Sequence, residues 1–169
     1  MSERSKRVGR KKLSQKREEL ITQLWGEDSP EVWNRHDHDG YATIPRTMPH
    51  ICRVMDGLSG SGSPLSQTYM ALWFRVYDEG FVEVKDQEAL AYESGFSGQR
   101  AVTTWIGRMR KLKELGFIDA KSISSREFQY VLLLNPLTVI KGIYDSGTVA
   151  QDARYDALAV RLLEVGGRW

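Results

Sequence analysis

The residues best equipped for chemistry lie between Ser97 and Gly116. At about 100° per residue in a helix, Val102, Trp105, Ile106, Met109 and Leu112 gather on one side. Arg100, Thr103, Thr104, Gly107 and Lys111 face the other way, flanked by Arg108 and Arg110, and no acid joins them before Glu114. Such a strip suits a polyanion. A guanidinium at Arg100 can pair bidentately with a guanine edge, and the amide of Gln99 can do so with adenine. The threonines bring a hydroxyl for phosphates or base edges and a methyl for thymine. Gly107 costs about 1 kcal/mol against alanine inside a helix. Two readings explain it: the backbone must come close to a partner, or the glycine relieves crowding against a neighbouring helix.

Two further cationic groups could serve the same end. Lys121-Ser122-Ile123-Ser124-Ser125-Arg126 reads as a short polar turn between two strands. Lys121 and Arg126 could grip phosphates or enter a minor groove while serines such as Ser125 hydrogen-bond the backbone; the alternative is a plain solvent-exposed turn. Near the amino terminus, Arg4, Lys6, Arg7, Arg10, Lys11 and Lys12 form either a phosphate-tracking or minor-groove arm or an ordinary basic tail.

Other reactive residue types lead nowhere specific. His36-Asp37-His38-Asp39 carries metal-capable groups, but His50 is the only other histidine, and the segment reads as a solvated polar turn, so no metal is assigned. Cys52 is the only cysteine and sits among Ile51, Val54 and Met55, which excludes an internal disulfide and marks a core thiol. No nucleophile–base arrangement announces itself, and the reading assigns no catalytic residue and no cofactor. No apolar run reaches the ~18 residues that span a bilayer, and the first residues lack an apolar signal segment. The expectation is a cytoplasmic protein that is not embedded in a membrane.

The charge distribution agrees with the polyanion reading. The net charge of +2 conceals eight Lys/Arg and one acid in residues 1–17, fourteen acids and five Lys/Arg in 18–97, and seven Lys/Arg and two acids in 98–126. Two basic islands around an acidic body point to a directed anion-binding surface.

The elements that must position these groups follow from caps, breakers and periodicity. Residues 1–13 read as a flexible arm, and 14–60 as a helical extension. Its helices start at Ser14, at Ser29-Pro30 and at Thr47, with a brief extended piece over Tyr41–Ile44. Ser59-Gly60-Ser61-Gly62-Ser63-Pro64 is a loop; it follows no strand and lacks a Lys-Ser/Thr ending, so it is not a phosphate-cradling loop. Residues 61–136 form one domain. In order come a helix from Leu65 to Glu79, a strand over Phe81–Val84, and a helix capped by Asp86 that ends at Gly95. A helix capped by Ser97 then runs from Gly98 to Leu115, and a hairpin pairs Phe117–Lys121 with Glu127–Leu134. Residues 137–169 carry a helix from Leu137 to Tyr144 and one from Val149 to Val165, whose Ala153, Ala157, Val160 and Leu163 form an apolar seam for packing or dimerisation. Trp25, Trp33, Trp73 and Trp105 are the expected core anchors.

This order resembles a winged helix-turn-helix domain, on the strength of "EALAYESGFSGQRAVTTWIGRMRKLKELGFIDA" from Glu88 to Ala120. The wider stretch from "YATIPRTMPHICRVM" to "YVLLLNP" resembles the winged-helix domains of plasmid and phage replication proteins and associated transcriptional regulators. The resemblance implies a mainly α fold with a small β-hairpin wing and N- and C-terminal helical extensions. It also implies sequence-specific binding of double-stranded DNA, with residues 98–115 in the major groove and the wing and arm on the backbone. The protein would be a homodimer, because one recognition helix covers only a few base pairs, and it would serve transcription or plasmid-type replication and maintenance. Winged-helix domains also serve as protein–protein modules, which is the alternative.

Overall fold

The computed structural model describes residues 3–26, 31–77, 79–123 and 126–169, with side chains from Ser14 onward. The chain divides into two compact units, 1–41 and 42–169. This boundary differs from the one expected after residue 60.

The first unit contains α1 (Glu3–Trp25). It runs through the stretch expected to be a flexible arm, because Lys, Arg, Gln, Glu and Leu are strong helix formers and no Pro interrupts them. Ser14 is therefore inside the helix, where its hydroxyl donates to Glu18 Oε1 at 3.2 Å, instead of starting it. Leu20, Ile21, Leu24 and Trp25 are exposed. No helix follows over 31–34; the chain turns at 35–37. Trp33 is exposed and stacks locally on His38 at 6.2 Å, so neither it nor Trp25 is a core anchor.

The second unit is built from α2 (Met48–Ser59), α3 (Ser66–Trp73), β1 (Phe81–Glu83), α4 (Gln87–Glu93), α5 (Ala101–Glu114), β2 (Ile118–Lys121), β3 (Tyr130–Leu133), α6 (Pro136–Asp145) and α7 (Ala153–Glu164). The architecture is mainly helical with one antiparallel sheet of order β1-β3-β2. Val82 faces Val131 and Ala120 faces Val131 across the two ladders. The core joins Ile51, Val54 and Met55 of α2 with Tyr69 and Leu72 of α3, Leu90 of α4, Trp105, Met109 and Leu112 of α5, and Val131 of the sheet. No described helix is long and apolar enough to cross a membrane.

Three helix starts obey local capping. The carboxylate of Asp86 accepts from the backbone N–H of Glu88 and Ala89, that of Asp152 from Arg154 and Tyr155, and the Asn135 amide oxygen from Leu137. These side chains satisfy N–H groups that have no partner within the helix. Asp56 does the same across the loop: its Oδ1 accepts from Leu65 N at 2.7 Å and Ser66 N at 2.8 Å, pinning the start of α3 to α2.

Elsewhere tertiary contacts redraw the expected limits. Helix α3 ends at Trp73, six residues early, because Trp73 Nε1 donates to Thr43 O and the chain must turn to offer Gly80 O to Leu133 N. In the C-terminal segment, α7 buries Leu158 and Leu162 and leaves Val160 and Leu163 exposed. The expected seam of Ala153, Ala157, Val160 and Leu163 thus points away from the core, since α7 packs on α2 with its other stripe. Arg154 lies against α2 at Gly57, where any Cβ would overlap its guanidinium. The tail closes over this region, with Trp169 stacked on Tyr155 at 5.0 Å.

Candidate nucleic-acid interface

Helix α5 carries the site. Trp105, Met109 and Leu112 are fully buried and Val102 and Ile106 half-buried, so the helix is fixed in rotation by its apolar side. The opposite side is left to solvent: Arg100, Thr103 and Gly107 are exposed and Thr104 half-buried. The Arg100 side chain has no hydrogen-bond or ion-pair partner among the described residues, while its backbone carbonyl accepts from Thr104 N–H.

The start of α5 departs from expectation. Ser97 does not cap it; Gly98 takes φ of +78°, a left-handed turn that side-chain-bearing residues avoid, and the helix begins only at Ala101 with Arg100 in the capping position. Ser97, Gly98 and Gln99 are all exposed in the turn that joins α4 to α5. Gln99 and Arg100 thereby stand at the mouth of the helix.

Gly107 distinguishes the two readings set out for it. A Cβ built there meets nothing within 4 Å, so no neighbouring helix requires the glycine.

The flanking cations are not idle. Arg110 forms a bidentate ion pair with Glu127, with Nε 3.0 Å from Oε2, and this contact holds the β2–β3 hairpin against the helix. The hydrogen bond and the neighbouring charge raise the Arg110 pKa and lower that of Glu127. Lys113 Nζ donates to Ala120 O at 2.7 Å, and Lys111 pairs with Glu114 at 2.6 Å. Arg108, expected to reach phosphates, folds back instead. Its Cζ lies 5.8 Å from the Phe96 ring centroid and its Nη2 3.4 Å from Gly62 O, while its Nε is buried without a partner among the described residues.

The hairpin base is over-determined. Gln87 Nε2 donates to Glu127 O at 2.6 Å, and Arg126 Nη1 to Lys85 O at 2.9 Å. Phe128 adopts φ of +57°, a conformation costing about 1–2 kcal/mol for an L residue, offset by burying its ring edge-on to Trp105 at 6.2 Å. That local reversal shortens the second strand to begin at Tyr130 instead of Glu127. It also lets Glu127 meet Arg110 while Phe128 enters the core. Lys121 ends β2 exposed. Ser125 lies outside the described residues. Arg4, Lys6, Arg7, Arg10, Lys11 and Lys12 lie on α1, in the other unit and outside the described side chains.

The structure thus brings Arg100, Thr103, Thr104, Gly107 and Lys111 onto one side of α5, sets Gln99 in the turn just before it and puts the hairpin along its flank. Sequence reasoning missed the Glu127 tether and the Gly62 contact. The one available signal for the tether was an isolated acid at the second strand's start facing a basic helix. Among the described residues, no three His, Cys, Asp or Glu side chains come together as a metal site. Comparison with known proteins gives no matching family model, no matching curated protein and no matching solved structure.

Proposed function

We propose that the protein binds double-stranded DNA as a winged helix-turn-helix protein, with α5 in the major groove and the β2–β3 hairpin as the wing. The order helix α3, strand β1, helices α4 and α5, then the hairpin pairing back to β1, supports this reading. The observation that carries it is the outward side of α5. Arg100, whose side chain has no partner among the described residues, stands at the helix start, next to Thr103 and a glycine that no internal contact demands. In this reading Arg100 and Gln99 read base edges. Lys111 and Lys121 meet phosphates, and Arg126 contributes from the wing. A homodimer on two half-sites would extend recognition, in the service of transcription or of replication and maintenance of a plasmid-like element in the cytoplasm.

One observation favours the second reading, a winged-helix module that binds protein. Arg108, Arg110, Lys111 and Lys113 already have partners within the chain. Exposed contacts of this kind are weak, so phosphates can compete for those cations. The deciding experiment titrates a labelled random duplex at two salt concentrations against the wild type and an Arg100→Ala, Lys121→Ala variant. Binding that weakens steeply with salt and falls in the variant supports the DNA reading. No binding at low salt by a folded protein supports the protein-binding one.

A further inference from the structure

We infer that the Ser59–Pro64 loop is a second phosphate-contacting wall of the interface, held in place by Arg108. The inference rests on the duplex-binding reading of α5 and extends it to a segment that the sequence sets aside as a plain loop.

The argument starts from helix rotation. Arg108 and Arg110 are two residues apart, about 200° around the helix, and so leave α5 on opposite flanks. Arg110 reaches the hairpin through Glu127, while Arg108 reaches the loop through Gly62 O. The strip bearing Thr103 and Gly107 therefore runs between two walls, the hairpin on one flank and the Ser/Gly loop on the other.

The loop is built to offer backbone to an anion. Gly60 and Gly62 take φ of +87° and +76°, and a Cβ on either would meet nothing within 4 Å, so only conformation and openness call for glycine there. Ser61 and Gly62 are exposed, and their N–H groups have no hydrogen-bond acceptor among the described residues. Adjacent unpaired N–H groups are a ready anion contact. The far end of the loop is fixed by Asp56, which holds Leu65 N and Ser66 N. Arg108 fixes the middle. Its guanidinium sits over Phe96 of the α4–α5 turn and leaves one N–H buried without an acceptor. Arg108 is accordingly a positioning residue that acts through the loop.

The test uses full-length protein, a labelled random duplex, and titrations between 50 and 200 mM salt. Ser61→Lys places one cation on the exposed loop; Gln151→Lys adds the same charge to the α6–α7 connection. If the loop lies against phosphates, Ser61→Lys steepens the log K against log salt slope by about 0.9, and its advantage over wild type shrinks about 3.5-fold across that range. Gln151→Lys keeps the wild-type slope, and adding Arg108→Met to Ser61→Lys returns the slope toward wild type. A wild-type slope for Ser61→Lys overturns the inference while leaving the DNA reading intact, and a slope that stays steep in the double variant overturns the part given to Arg108. Absence of duplex binding by the wild type removes the DNA reading and this inference with it.

Discussion

Replacing Gly107 with alanine separates what the helix prefers from what its partner requires. Position 107 lies in the interior of α5, and the added methyl meets no atom within 4 Å. No steric term opposes the substitution, so the helix-propensity difference of about 1 kcal/mol acts in full. For a chain of this size that corresponds to a rise in Tm of about 2–4 °C, read by circular dichroism or calorimetry. Gly142 in α6 is the internal control: it is also exposed with nothing within 4 Å, so Gly142→Ala gives a similar gain. The two variants part company in duplex binding. If the backbone at 107 abuts a groove, the methyl intrudes on that contact and costs about 1–3 kcal/mol of affinity, fivefold or more, whereas Gly142→Ala leaves affinity unchanged. A stabilised Gly107→Ala protein with undiminished affinity refutes the close-approach reasoning. A destabilised one refutes the packing described around α5.

Three further outcomes follow from individual contacts. Asp56→Ala strips the N–H groups of Leu65 and Ser66 of their acceptor and lowers stability by about 2 kcal/mol in urea denaturation. The pKa of Asp152 is lowered by its hydrogen bond to Arg154, and then by bonds from the backbone of Tyr155 and Arg154. A lowered carboxylate stabilises the fold above its unfolded pKa and loses that contribution as the pH falls through the folded value, so unfolding below about pH 4 is shallower in Asp152→Asn. Burial, with the Asp56 charge added, pushes the Cys52 thiol up to about 11; at pH 8 its alkylation by iodoacetamide is about 100-fold slower in the folded than in the unfolded chain.

What the sequence revealed and what it hid divide by range. Asp86 caps its helix through its own next few residues, so a local reading finds it; Asn135 and Asp152 cap just as locally, yet the apolar pattern alone starts the last helix at Val149 instead of after Asp152. The buried side of α5 is equally legible, since Trp105, Met109 and Leu112 repeat at helical spacing. Ser97 misleads because the backbone at Gly98, not the residue type at 97, decides where the helix begins. On α7, Leu158 and Leu162, four apart, compete with Val160 and Leu163, three apart; both spacings suit a helix, and only contact with α2 chooses between the stripes. The partners of Arg108 and Arg110 lie 46 and 17 residues away, beyond any periodicity. The outward strip of α5 and the hairpin were thus visible in the sequence, while the contacts that tie the hairpin and the Ser59–Pro64 loop to the flanks of α5 were not.

The seat of Arg154 on α2 couples two distant positions. A glycine near the end of α2 is a poor helix former, tolerated because the flat guanidinium occupies the volume a side chain would take. Positions 57 and 154 should therefore drift as a pair among relatives. A lineage that loses the arginine gains freedom at 57 to adopt alanine or another good helix former, and one that retains it is confined to glycine there.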